Sequence, residues 1–431
     1  MKTAGPCARL PNLGPVGIVR HTRQNVQCRR AFELDSSSNL VFEDDSGEKI
    51  PVMSADYGFR SGAGRLYQDD YGGVPKSILE LSISNFKKEL MALRRSVRMD
   101  EYKEISGVYE NASLPRRALF SVGNSLREGL ASLDTWLEDE NIVRKLNYPK
   151  NALDERLTEE QTAMLQKVKQ LVLDDGRVAQ REKDREARDG KVEAPAVIRF
   201  VYSSLCWVLD VLYGGRPIQR FWVLETVARM PYFSYISMLH LYESLGWWRA
   251  GAEVRKVHFA EEWNELHHLQ IMESLGGDQL WIDRFLAEHA AVFYYWVLVV
   301  MYAISPASSY ALSELIENHA VDTYTEFAEQ NKAVLETIPP PLVALNYYKS
   351  GDLYLFDQLQ TGWDCQEPRR PPCNNLHDVF VNIRDDEVEH VKTMHALKCN
   401  KLELDQAGIK EANKRIGHMA ITSLNSVDFD E

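Results

Sequence analysis

Cysteine is scarce. The 431 residues hold six, Cys7, Cys28, Cys206, Cys365, Cys373 and Cys399, widely spaced and never as CxxC. That excludes a disulfide framework and a thiolate zinc site. Basic residues are also outnumbered, with 50 Lys and Arg against 63 Asp and Glu and a net charge of -13. A nucleic-acid binder needs a basic face to displace counterions from phosphates, so nucleic acid is excluded as a partner. No uninterrupted apolar stretch reaches the roughly 20 residues that carry a helix comfortably across a bilayer. Acids are missing from the first 32 residues, where Lys2, Arg9, Arg20, Arg23, Arg29 and Arg30 precede the first acid, Glu33. Without a continuous apolar h-region, residues 1–32 read as an organelle transit peptide and not as a secretory signal, although a disordered basic tail has the same composition.

What is present suits one large core with extensions, since 45% of the chain is apolar. Two stretches are strongly so. Residues 290–304 (AAVFYYWVLVVMYAI) would cover about 22 Å as a helix against a hydrocarbon core of about 30 Å. Residues 196–213 (AVIRFVYSSLCWVLDVLY) are interrupted by Arg199 and Asp210. Composition fits two readings of both: buried core helices, or helices lying in one leaflet with their aromatic rings at headgroup level.

Along the chain, 33–193 forms an N-terminal extension. Its first part, to about residue 73, is polar and rich in Gly, Ser and Asp, and is expected to be extended or disordered. A helix follows, with Leu79, Ile83, Phe86, Leu90, Leu93 and Val97 on one face. Residues 152–192 carry a further helical pattern that ends in the charge run QREKDREARDGK, expected to be a solvated boundary. From 194 to 400 the breaks at Gly214-Gly215, Gly246, Gly276-Gly277, Ser305-Pro306 and Pro339-Pro340-Pro341 predict helices at about 197–213, 218–245, 252–275, 279–304, 306–335 and 376–398. Residues 336–375 are too long for a bundle turn and are expected to form a subdomain or surface excursion. Residues 401–431 make a C-terminal tail.

The chemistry sits in a repeated spacing. Glu265-x-x-His268 and Glu387-x-x-His390 each put a carboxylate and an imidazole on one helix face. Chance supplies about one Glu-x-x-His in a chain of this composition, and here there are two. Two more helices carry a Glu in an apolar setting, Glu225 in FWVLETVARM and Glu317 in YALSELIENHAVDTYTEF. Two helices giving Glu and two giving Glu-x-x-His are the ligand set of a ferritin-like, all-α di-iron bundle, where inward carboxylates offset the charge of two iron ions. Each Glu taken singly also fits a solvent-facing position. Tyr324, two turns after Glu317, stands where it can supply an electron and a proton, or simply pack; the same holds for Tyr302. Asp386 is either a carboxylate orienting an imidazole or a surface acid.

LETVARMPYFSYISMLHLYESLGWWR (224–249), HFAEEWNELHHLQIME (258–273), YKSGDLYLFD (348–357) and VNIRDDEVEHVKTM (381–394) resemble the alternative oxidase family, and within it the plastid branch. The resemblance runs from about residue 196 to 394. It implies a di-iron quinol oxidase passing electrons from plastoquinol to O2, with formation of water and no proton pumping. Glu225, Glu265, His268, Glu317, Glu387 and His390 match the family's iron site, with Glu265 and Glu387 as bridging carboxylates and the histidines either ligating or just outside. Tyr324 matches a redox-active tyrosine, and Leu224, His240, Tyr302 and Asp386 match positions linked to activity, the first two near the quinol. The resemblance further implies a monotopic homodimer with two additional membrane-associated helices, placed with the transit-like leader at the chloroplast thylakoid membrane. It does not cover Cys365 and Cys373, which are expected to be free surface thiols. Other classes compatible with the same ligands are a mitochondrial-type ubiquinol oxidase and a soluble ferritin-like iron-binding protein, and a metal-free membrane scaffold has the same apolar helices.

Overall fold

A computed structural model describes residues 33–34, 40–43, 47–57, 76–98, 114–146, 158–248, 251–350, 353–359 and 369–399. The expectations for residues 1–32, for Cys365 and for residues 401–431 lie outside these. The helices are α1 (Ile78–Arg98), α2 (Leu114–Asp139), α3 (Glu159–Lys169), α4 (Asp175–Asp189), α5 (Ala196–Tyr213) and α6 (Pro217–Ser244). They continue with α7 (Gly251–Ser274), α8 (Trp281–Ile304), α9 (Pro306–Leu335), α10 (Leu342–Leu345), α11 (Leu353–Leu359) and α12 (Leu376–Lys398). The six long helices from α5 to α9 and α12 begin and end within about two residues of their expected bounds, because caps and breakers define them locally. Ser305 caps α9 through Ser308 N with Pro306 in its first turn, Asn375 accepts from Asp378 N at the head of α12, and Gly276, at φ +86°, closes α7 in a left-handed conformation.

The fold is all-α: α6 packs on α7 and α8, α9 on α12, and α7 touches α12, so that α6, α7, α9 and α12 enclose one four-helix core. Gly277 permits the close approach of α6, since a Cβ there would lie 2.4 Å from Trp222 Cβ.

Several segments depart from the sequence expectations. The polar region before residue 73 is extended in these parts, as expected, but paired into ordered structure: strands β1 (Glu33–Leu34), β2 (Leu40–Glu43) and β3 (Lys49–Pro51) form an antiparallel sheet. Phe42 faces Ile50 across that sheet, and both side chains enter the main core. The charge run is no solvated boundary. It forms α4, whose Arg177, Arg181 and Arg185 recur every four residues and meet the acids of α9: Glu326 at 2.7 and 2.6 Å and Asp322 at 2.9 Å. A polar composition alone does not show that an acidic partner stripe is waiting. Nor is 336–375 a surface excursion in its described parts, because Leu342, Leu345, Tyr347, Tyr348, Phe356 and Cys373 are buried. Cys373 is therefore not a surface thiol, and burial pushes it up to about 12. Helix α2 was not foreseen.

The two apolar helices are not core helices either. By length and composition α5 and α8 could each cross a membrane, yet only 17% and 22% of their apolar windows are buried. Phe200, Trp207, Phe293, Trp296 and Ile304 stand exposed on them.

Candidate metal centre

Four helices deliver the six residues to one place. Glu225 comes from α6, Glu265 and His268 from α7, Glu317 from α9, and Glu387 and His390 from α12. None is more than 3% exposed. They fall into two groups, Glu225, Glu265, His268 and Glu387, and Glu265, Glu317, Glu387 and His390. In each group the ligand atoms lie within 4.8 Å of one another, and Glu265 and Glu387 belong to both. His268 Nδ1 is 3.2 Å from Glu387 and 3.7 Å from Glu225; His390 Nδ1 is 3.1 Å from both Glu265 and Glu387.

The donor set fits two metal ions. Glu225 Oε2, both carboxylate oxygens of Glu265 and His268 Nδ1 are buried without a hydrogen-bond partner. Such atoms cost free energy unless something coordinates them. Four carboxylates around two adjoining positions carry the charge that two divalent ions would offset, and oxygen and imidazole donors suit iron.

Protons show the same crowding when no metal is bound. Burial, helped by the negative charge of Glu265, raises Glu225, and burial with Glu387 nearby pushes Glu317 up to about 8. Burial works against protonation of His268 and His390, but the surrounding carboxylates win and raise both well above the usual imidazole range. For Glu265, burial is outweighed by the two neighbouring imidazoles, His268 and His390, which hold it below the carboxylate range. A stability trend follows. Above about pH 5 the folded metal-free chain keeps protons on Glu225, Glu317, His268 and His390 that the unfolded chain gives up, so its stability falls as pH rises towards about 8. Denaturant unfolding of iron-free protein at pH 5.5 and 8 should show the lower midpoint at pH 8. A midpoint that is equal or higher there would mean that the carboxylates are not forced together.

The surrounding shell is polar and specific. Asp386 is fully buried and accepts from Asn264 Nδ2 at 2.9 Å, Tyr348 OH at 2.8 Å, Arg369 and, at 3.1 Å, His268 Nε2. It is an orienting carboxylate in geometry, not a surface acid, and it turns His268 Nδ1 towards the cluster. Burial opposes its ionisation, but Arg369 and His268 hold it below the ordinary range. Tyr324 OH donates to Glu225, not to Glu317 on its own helix; Tyr232 OH, two turns beyond Glu225, donates to Glu317 at 2.7 Å. This reciprocal crossing is what two antiparallel helices face to face produce. Phe221 stacks on Tyr324 at 4.4 Å.

Three expected residues lie apart. Tyr302 bonds Tyr310 at 3.2 Å, away from the six. Leu224 is half-buried beside the core, whereas His240 is exposed, with Arg255 3.2 Å from its Nδ1. Sixteen residues of helix separate those two by about 24 Å, so they do not form one pocket. Asn264, Tyr232, Tyr347, Tyr348 and Arg369 were missed. Only Tyr232 had a usable signal, its seven-residue spacing from Glu225, the same spacing that marked Tyr324.

These features define a helical bundle with a buried carboxylate and imidazole cluster of the kind that holds iron. Residues 185–399 match the model of the alternative oxidase family, and this part of the chain belongs to that family. It is 54% identical over 197 residues to ubiquinol oxidase 4, chloroplastic/chromoplastic, of Arabidopsis thaliana, covering 46% of this chain and 56% of that protein. Identity is 25% over 216 residues to the mitochondrial ubiquinol oxidase 1a of the same plant, covering 50% and 54%. It is also 25% over 210 residues to the mitochondrial ubiquinol oxidase 2 of Glycine max, covering 48% and 56%. The chain thus spans about half the length of the curated relatives it matches.

Proposed function

We propose that this protein is a di-iron quinol oxidase that oxidises plastoquinol and reduces O2 to water without pumping protons, as a monotopic homodimer on the thylakoid membrane. The observation that carries the reading is the pair of adjoining, fully buried ligand groups that share Glu265 and Glu387. Glu225 and Glu317 would each serve one iron, Glu265 and Glu387 both, and the histidines would bind through Nδ1. When bound, the two irons supply the redox chemistry for O2.

The chain's own residues do the rest. Two quinols release four electrons and four protons, and O2 takes up the same number to give two waters, so no proton needs to cross the membrane. Tyr324 and Tyr232 hold hydroxyl protons against Glu225 and Glu317, where reduction would call on them. The apolar packing of Phe221, Phe327 and Phe380 excludes water. Quinol is lipid-soluble, and the exposed apolar faces of α5 and α8 would admit it from one leaflet. Beside α5 a recess of about 280 Å³ has Arg220, His319 and Asp210 among its polar walls and Tyr202 and Trp207 among its aromatic ones. Leu224 lies one turn beyond Arg220 on α6, which favours this end of the bundle for a quinol headgroup, and not His240.

The 54% identity to a chloroplastic relative favours plastoquinol over ubiquinol. Oxygen uptake by iron-loaded protein should be faster with a plastoquinol analogue than with a ubiquinol analogue. Faster uptake with ubiquinol would reassign the quinol. No uptake with either, from protein that a carbonate wash releases from membranes, would favour an iron store.

A further inference from the structure

We propose that α1 and α2, both outside the part that matches the alternative oxidase family, form a second lipid-binding surface continuous with that of α5 and α8. The inference rests on the reading of α5 and α8 as lying in a leaflet.

Helix α2 is amphipathic the wrong way round for water. The stripe it turns inward mixes Arg116, Asn124, Arg127, Asp134 and Glu138 with Phe120, Ala131 and Leu137. Its outward stripe is Leu119, Val122, Leu126, Leu130, Leu133 and Trp136, with Leu126 63% and Trp136 52% exposed. A helix at a protein surface in water buries its apolar side. One that does the opposite meets an apolar medium on its outer side. In helix α1, Arg94, Ser96 and Val97 are buried at the C-terminal end, while Leu79, Ile83, Phe86 and Leu90 are exposed. An ionic joint locks the two helices back to back. Arg94 meets Asp134 at 2.5 Å, and Arg98 meets Asp134 and Glu138 at 2.8 Å each.

The two faces adjoin those already described. Glu89 of α1 pairs with Arg284 of α8 at 3.5 Å; exposed Phe86 and Leu90 lie near the one, exposed Phe285 and Leu286 near the other. Arg116 of α2 covers Gly214 at the end of α5, where a Cβ would run into its guanidinium. Charge identifies the medium. Within a chain of net charge -13, α1 carries Lys87, Lys88 and Arg95 outside the ionic joint against Glu80 and Glu89, and Lys87 and Lys88 are exposed next to Phe86. A basic, outward-apolar helix suits a leaflet containing anionic lipids.

The test uses the full iron-loaded chain with vesicles of phosphatidylcholine and phosphatidylglycerol (2:1). Amides of residues 78–92 and 114–133 should exchange at least about 10-fold more slowly only when vesicles are present. A Phe86→Glu/Leu126→Glu variant should partition onto vesicles at least about 30-fold more weakly, with oxygen uptake in detergent unchanged. A Phe293→Glu/Trp296→Glu variant probes α8 in parallel. If the first variant binds like wild type and the second does not, the second surface is overturned and the leaflet reading stands. If wild type ignores vesicles, both fall. Amides of α1 and α2 that are already slow without vesicles would overturn the proposal in favour of a cover by the chain itself. Loss of a dimer in the first variant with vesicle binding intact would overturn it in favour of a second copy.

Discussion

Glu387→Ala should yield a chain with unchanged helical content that no longer holds iron and no longer consumes oxygen with quinol. Glu387 belongs to both ligand groups, and its two carboxylate oxygens face opposite imidazoles, 3.2 Å from His268 and 3.1 Å from His390. Removing it deprives both metal positions at once. The loss in iron affinity should therefore exceed the 10- to 100-fold, in round terms, that follows removal of a group outside the ligands. Folding is spared for an electrostatic reason. In the metal-free protein this carboxylate lies among three others in a buried space and beside two imidazoles, so deleting it relieves crowding with Glu265 while removing a partner of His268 and His390 and leaving a cavity, and the effects oppose each other. Metal analysis, circular dichroism and oxygen uptake on the same preparation decide the matter. Full iron content with normal turnover would defeat the site, and an unfolded variant would defeat the charge argument.

Asp386→Asn should be the most damaging change at a residue that contacts no metal position. It leaves the side chain's shape and removes its charge, so Arg369 loses its nearest counterion and His268 Nε2 faces an amide that can equally well donate. Breaking a buried charge pair costs about 3–5 kcal/mol. The Arg369 side chain is 26% exposed, which moves the expected loss to the lower end, about 3 kcal/mol. Iron affinity should fall roughly 10- to 100-fold because the imidazole is no longer held in one orientation and tautomer. Asp385→Asn is the control, since Asp385 is more exposed and lies 3.7 Å from the same arginine. Thermal melting and iron titration of the two variants would sink the account if they behaved alike. Equal losses would mean that charge near Arg369 matters and that orientation of His268 does not.

Legibility in the sequence depended on whether a feature was local. Glu265 with His268, and Glu387 with His390, could be read because three residues of helix put both side chains on one face. Helices α5 to α9 and α12 could be read because proline, glycine and capping residues mark their ends. Tyr324 could be placed near the cluster, but not matched to its partner: the spacing pointed to Glu317, and the hydroxyl reaches Glu225 on the opposing helix. The charge run could not be recognised as a docked helix, since the acids that neutralise it are more than a hundred residues away on α9. For the same reason nothing announced that Tyr347 and Tyr348 would line the site through Asn264 and Asp386.

The sequence by itself determined which residues can share a helix face, where most helices stop and that the chain is helical, because these depend on backbone geometry over a few residues. Only the tertiary structure decided that four such faces converge, that Glu265 and Glu387 stand between two positions, and which apolar faces of α1, α2, α5 and α8 stay outside. Those outcomes depend on helices separated by tens to more than a hundred residues, and packing fixes the distances that no local spacing contains.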